Sequence, residues 1–196
     1  GDNIIAILAR ANGQLSPADV ESATPALNAA DVLLLQLEVP LAASQRAAEL
    51  ARAAGTRVIL NPAPAQPLSR EILRLCDIVT PNESEAARLT GIPVEDDAGV
   101  RAAAEALREQ GATTVVMTLG ARGVYALGPD GELRVPTFPV KVVDTTAAGD
   151  AFSGGLAYGL ASGLALGDAL RWGCAAGDRP APGRSRPTHS PRRRPA

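Results

Sequence analysis

The chain has 196 residues, 46% of them hydrophobic and 3% aromatic, with a formal net charge of −2. That length suits one compact domain with an aliphatic core. No apolar run reaches the ~18–20 residues that cross a bilayer. Residues 1–177 carry 13 basic and 20 acidic side chains, whereas residues 178–196 carry six Arg against one Asp. An acidic body argues against nucleic acid as the main partner. The chain opens Gly1-Asp2-Asn3, without a basic or apolar leader, and its two cysteines, Cys76 and Cys174, make no disulfide or metal framework. The expectation is a soluble cytoplasmic protein with no membrane or nucleic-acid partner.

Short apolar runs alternate with longer amphipathic ones. Asn3–Ala9 is a predicted strand. Pro17–Ala30 is helical, with Ser16 as its cap and a break at Pro25. Val32–Leu37 is a buried strand, and Leu41–Ala54 a helix stopped by Gly55. Arg57–Leu60 is a strand, Ser69–Leu75 a short helix and Ile78–Thr80 a short strand. Glu83–Leu89 and Asp97–Gln110 are helices, closed by Gly91 and Gly111. Thr114–Leu119 and Gly123–Leu127 are strands, and Pro129-Asp130-Gly131 is a hairpin-type turn. A strand-like Val140–Val143 precedes helices over Gly149–Leu160 and Leu166–Ala176. This alternation predicts an α/β fold in three layers, with a mostly parallel central sheet and helices on both faces.

Two phosphate-binding motifs are excluded. Lys141, the only lysine, lies between Val140 and Val142, so no Gly-Lys-Ser/Thr loop exists, and no Gly-x-Gly-x-x-Gly occurs. Chemistry is therefore sought where such sheets place it, beyond the carboxyl ends of the strands.

Glu38 follows the strand that starts at Val32; it is either a solvated loop charge or an acceptor for substrate hydroxyls. Asn61-Pro62-Ala63-Pro64 stiffens the exit of the next strand. Asn82 and Glu85 have the spacing of a capping box. The same pair can face nucleotide phosphates and hold Mg²⁺ through water. Thr118-Leu119-Gly120-Ala121-Arg122-Gly123 reads as a turn, or as a loop whose glycines admit a ligand to the backbone.

The most informative segment is Asp144-Thr145-Thr146-Ala147-Ala148-Gly149-Asp150. Small residues at a helix start expose N–H groups to an anion, and such donors stabilise charge on a transferring phosphoryl group. Asp150 falls in the first helical turn. It is either a helix-start charge or the base that takes the proton of an alcohol nucleophile.

That string resembles the C-terminal signature of the ribokinase, or PfkB, family of carbohydrate kinases, D-T-x-G/A-A-G-D, with Ala147 where Gly is frequent. The resemblance spans about residues 1–176 and includes Gln36-Leu37-Glu38, Asn61-Pro62-Ala63-Pro64-Ala65 and Thr80 to Glu85. It implies transfer of phosphate from ATP to D-ribose, with Asp150 as base and Ala147, Ala148 and Gly149 in the anion hole; the alternatives are another PfkB-type sugar or nucleoside kinase, or a truncated remnant that binds nucleotide without catalysis. It further implies that Glu38 binds the sugar, that Asn82 and Thr118 through Gly123 contact ATP together with Gly149 and Asp150, and that Glu85 serves Mg²⁺ through water. Asp144 and Thr146 would belong to an activating K⁺ site, and a homodimer is implied.

Two departures accompany the resemblance. The family's N-terminal Gly-Gly sugar motif and its dimerising β lid are missing, so the expectation is that the chain alone has little activity. Residues 178–196 contain six Arg and five Pro and no Leu, Ile or Val. A domain over 1–176 and a disordered tail over 177–196 are expected, the tail being a shifted reading frame or a basic arm for an acidic partner. Cys174 stands where the family often places Asn or His near adenine, Cys76 reads as a buried small hydrophobe, and Trp172 as packing on the last helix.

Overall fold

A computed structural model describes residues 9–138 and 147–177. The elements in chain order are α1 (Pro17–Ser22), α2 (Thr24–Ala29), β1 (Val32–Leu35), α3 (Leu41–Ala54), β2 (Arg57–Leu60), α4 (Arg70–Leu75), β3 (Ile78–Val79), α5 (Glu83–Thr90), α6 (Asp97–Glu109), β4 (Thr114–Thr118), β5 (Val124–Gly128), β6 (Gly131–Val135), α7 (Ala148–Ala161) and α8 (Leu166–Gly177). Side-chain caps start several helices: Ser16 on α1, Ser69 on α4, Asn82 on α5 and Asp96 on α6. Each such cap contributes about 1 kcal/mol. Gly55 and Gly91 close α3 and α5 in the left-handed conformation.

The strands lie in the order β1-β2-β3-β4-β5-β6. The pairs from β1 to β4 are parallel, and β5 and β6 add antiparallel strands at one side. Successive strand residues point to opposite faces, and this alternation divides the core. Val58, Leu60, Val79, Val115, Met117 and Tyr125 pack against the helices α3 to α6. Their neighbours Ile59, Ile78, Val116, Val124 and Ala126 pack against α7 and α8. Each fully buried large aliphatic side chain is worth roughly 1.5–3 kcal/mol. The expected α/β architecture, with helices on both faces of a mostly parallel sheet, is present.

Several boundaries move for identifiable reasons. The break in the first helical stretch falls at Ala23, and Pro25 sits in the first turn of α2, where its missing N–H costs nothing. β1 ends at Leu35, two residues early. Beyond it the ladder with β2 is interrupted: the Leu37 N–H donates to the Ala63 carbonyl, and the Ala63 N–H turns back to the Asn61 carbonyl at 2.9 Å. The Pro129 turn leads into β6. Trp172 is half exposed and packs on the outer surface of α8, its ring 5.4 Å from that of Tyr158 on α7. Glycines let α7 and α8 approach closely: a Cβ on Gly159 would lie 2.9 Å from the Ala169 Cα, and one on Gly155 2.7 Å from the Trp172 carbonyl. The predicted strands at Asn3–Ala9 (except Ala9) and Val140–Val143, and the tail from 178, lie outside the described residues.

No helix among the described residues is long and apolar enough to cross a membrane.

Candidate active site

The residues that follow β1, β2 and β3 converge with the end of β4 on the start of α7. Three clefts run together there. The first, about 460 Å³, is lined by residues including Asn82, Thr118, Gly120, Gly123, Gly149 and Cys174. The second, about 350 Å³, includes Thr80, Asn82, Glu85, Gly149, Asp150 and Ser153. The third, about 320 Å³, is lined by Leu34, Gln36, Asn61, Asp150 and Ser153. Gly149 is shared by the first two clefts and Asp150 by the last two, so the helix start lies along the whole run.

Among the described residues, no side chain caps α7. Its first N–H groups therefore lack intrahelical partners and stand available to an anion. Ala147 precedes the helix in a left-handed conformation, φ +61°. That geometry turns the backbone into the helix at a position where a Cβ is unfavourable. Ala147 and Gly149 line the second cleft, and Ala148 and Gly149 the first. The expected anion-hole residues thus stand at one place. Asp150 is exposed beside them, in the first turn of α7.

Asn82 and Glu85 form the expected capping box. The Asn82 side chain accepts from the Glu85 N–H at 2.8 Å, and the Glu85 carboxylate accepts from the Asn82 N–H at 2.8 Å. Both still line the second cleft. Burial pushes the Glu85 carboxyl above its ordinary value, opposed by the Asn82 N–H, which favours the ionised form. No group of three or more His, Cys, Asp or Glu side chains suited to a metal is present among the described residues. One or two carboxylates beside an anion site suit Mg²⁺, which retains waters and is held largely by substrate phosphates. Among the described residues, no Lys or Arg lines the clefts. Asp144 and Thr146 lie outside the described residues.

The loop from Thr118 to Gly123 divides by role. Thr118, Gly120 and Gly123 line the first cleft. Gly123 has φ +82°, and a Cβ there would meet the Val135 carbonyl at 2.2 Å, so only glycine fits. The Leu119 side chain is buried in the core, and Ala121 is exposed beyond the cleft lining. Arg122 pairs with Glu83 and lies 3.7 Å from Asp97. Its guanidinium is directed to the starts of α5 and α6.

Glu38 is exposed and lines none of the three clefts. Since β1 ends at Leu35, Gln36 faces the third cleft, Leu37 enters the core and Glu38 meets solvent. Sequence reasoning passed over Gln36 and Ser153 and gave Asn61 little weight. The Gln36 Nε2 donates to Asp150 Oδ1 at 2.6 Å and to Asn61 Oδ1 at 3.4 Å. The Asn61 Nδ2 donates to the Thr80 carbonyl at 2.9 Å. The Ser153 hydroxyl is buried without a hydrogen-bond partner, one turn after Asp150. Its position at i+3 from an acidic residue in a helix start was the only available signal.

The fold and this edge define an α/β protein whose ligand clefts meet at an open helix start. The chain belongs to the pfkB family of carbohydrate kinases, whose profile matches residues 1–178. It is 42% identical over 175 residues to the ribokinase of Haemophilus influenzae, a match that covers 89% of this chain and 57% of that protein. It is 41% identical over 157 residues to the deoxyribokinase of Salmonella typhi, covering 80% of this chain and 51% of that protein. Among solved structures, the ribokinase of Arabidopsis thaliana complexed with ribose and ATP superposes with a TM-score of 0.82 at 31% identity, covering 91% of this chain and 58% of that one. The chain thus spans little more than half the length of these relatives.

Proposed function

We propose that the protein transfers the γ-phosphoryl group of MgATP to D-ribose, giving ribose 5-phosphate and ADP. The observation that carries this reading is the position of Asp150, between the cleft on the glycine-loop side and the cleft at Gln36. The first cleft takes the nucleotide, with its phosphates directed to Ala147, Ala148 and Gly149. The third takes the acceptor alcohol. Asp150 accepts the hydroxyl proton as the alcohol oxygen attacks the γ-phosphorus, the bond to the bridging oxygen breaks, and ADP leaves. The N–H groups at the start of α7 stabilise the charge on the transferred group. Glu85 holds Mg²⁺ through water, and the metal shields the phosphate charge. A K⁺ site at Asp144 and Thr146 belongs to the same reading, and a homodimer to a chain that carries the family's lid.

A panel of ribose, deoxyribose, fructose and nucleosides, read by ADP release, tests it. Deoxyribose is the competing acceptor, since a deoxyribokinase is among the relatives. In a chain of the relatives' full length, ribose-dependent release that falls by orders of magnitude in Asp150→Asn, with ATP still bound, is the expected result. Nucleotide binding by that longer chain without turnover of any acceptor would replace this reading with that of a non-catalytic nucleotide binder.

A further inference from the structure

Gln36 and Asp150 are 114 positions apart in the chain, and their side chains are joined at 2.6 Å. The direction of that bond is dictated from the core. The Thr80 carbonyl can only accept, and it receives the Asn61 Nδ2 at 2.9 Å. Thr80 and Asn61 are both buried, and the Thr80 N–H is tied to the Leu60 carbonyl at 2.8 Å, so this anchor is part of the sheet. With its nitrogen committed to Thr80, Asn61 presents Oδ1 towards Gln36. An amide oxygen accepts only, so Gln36 presents Nε2. That nitrogen has two protons, one for Asn61 Oδ1 and one for Asp150 Oδ1. The ends of β1, β2 and β3 thereby deliver a single N–H to the carboxylate, with no freedom for the amide to reverse.

We propose that Gln36 is a positioning residue for Asp150. It holds one carboxylate oxygen in place and leaves the other for the proton of the acceptor alcohol. An exposed carboxylate in a first helical turn otherwise samples several rotamers, and proton transfer requires one of them. The inference rests on Asp150 acting as the base.

The test is a double-mutant cycle of Gln36→Leu, Asp150→Ala and their combination, built in a chain of the relatives' full length and assayed with MgATP and ribose in single and multiple turnover. Gln36→Leu should lower kcat about 10- to 100-fold, the scale set by a misplacement of about 1 Å. KM for both substrates should stay within a factor of about two. In the Asp150→Ala background the same change should cost nothing further. Parental kcat in Gln36→Leu, or an equal loss in both backgrounds, would overturn the proposal. Parental kcat in Asp150→Ala would instead overturn the assignment of the base. Denaturant midpoints of the same four proteins need no turnover: non-additive midpoints support the contact, and additive ones remove it.

Discussion

Asn82 and Glu85 cap each other at the start of α5, each side chain accepting the other's backbone N–H at 2.8 Å. The pair was expected either to cap a helix or to serve nucleotide and metal. The cap is present, and both residues border the second cleft. The two roles are separable, because glutamine can replace glutamate in a capping box. Burial raises the Glu85 carboxyl above its ordinary value. Folding therefore favours its protonated form, a contribution that is full below the unfolded value and is lost as pH rises through the folded value. Glu85→Gln is expected to keep the fold and to unfold near pH 7 at the same denaturant concentration as the parent or slightly above it. Mg²⁺-dependent nucleotide binding, followed by calorimetry, should weaken. A clear loss of stability at pH 7 would mean that the ionised carboxylate is needed for the cap.

Ala147 takes φ +61° immediately before α7. A non-glycine residue there costs of order 1–2 kcal/mol, and glycine gives back part of that gain through its freer unfolded chain. Ala147→Gly should therefore stabilise the protein by up to about 1 kcal/mol in chemical denaturation. The N–H array at the helix start should be unchanged, so nucleotide affinity should not fall.

Gly173 lets α8 approach α7 at Phe152. A Cβ at that position would lie 2.7 Å from the Phe152 ring, and Phe152 borders the first and second clefts. Gly173→Ala is expected to destabilise by about 1–3 kcal/mol through overpacking and to weaken nucleotide binding by moving the ring. Gly167→Ala is the control in the same helix, since nothing lies within 4 Å of its added Cβ. Equal midpoints for the two variants would show that the helix contact yields without cost.

Cys76 is fully buried, and burial is the main cause that pushes its thiol up from 9.0 to about 12. The folded thiol holds its proton where the unfolded one releases it, so stability is retained below pH 9 and declines between pH 9 and about 12. The decline approaches about 1.4 kcal/mol per pH unit from this one group. Cys76→Ala should flatten the slope, whatever its own cost in packing. In the parent at pH 8, Cys76 should react with a thiol reagent only after denaturant is added. Rapid labelling of Cys76 in the native protein would contradict its burial.

Much of the architecture was legible along the chain because its causes are local. Ser16, Ser69 and Asn82 cap helices through bonds three residues long, and Gly55 and Gly91 stop helices by adopting a conformation that other residues avoid. The helix start carrying Ala147 to Asp150 was readable for the same reason: small residues and an acidic first turn act within a single turn of backbone. Where those local rules compete with neighbouring segments, expectation and structure part. β1 ends at Leu35, where the Ala63 N–H turns back to the Asn61 carbonyl instead of joining the ladder, and beyond it Gln36 lines the cleft while Glu38 meets solvent. The bond from Gln36 to Asp150 depends on three strand ends and a helix start meeting at one edge. No periodicity links residues so far apart, and parallel strand register alone aligns the amides of Gln36 and Asn61 with the carbonyl of Thr80.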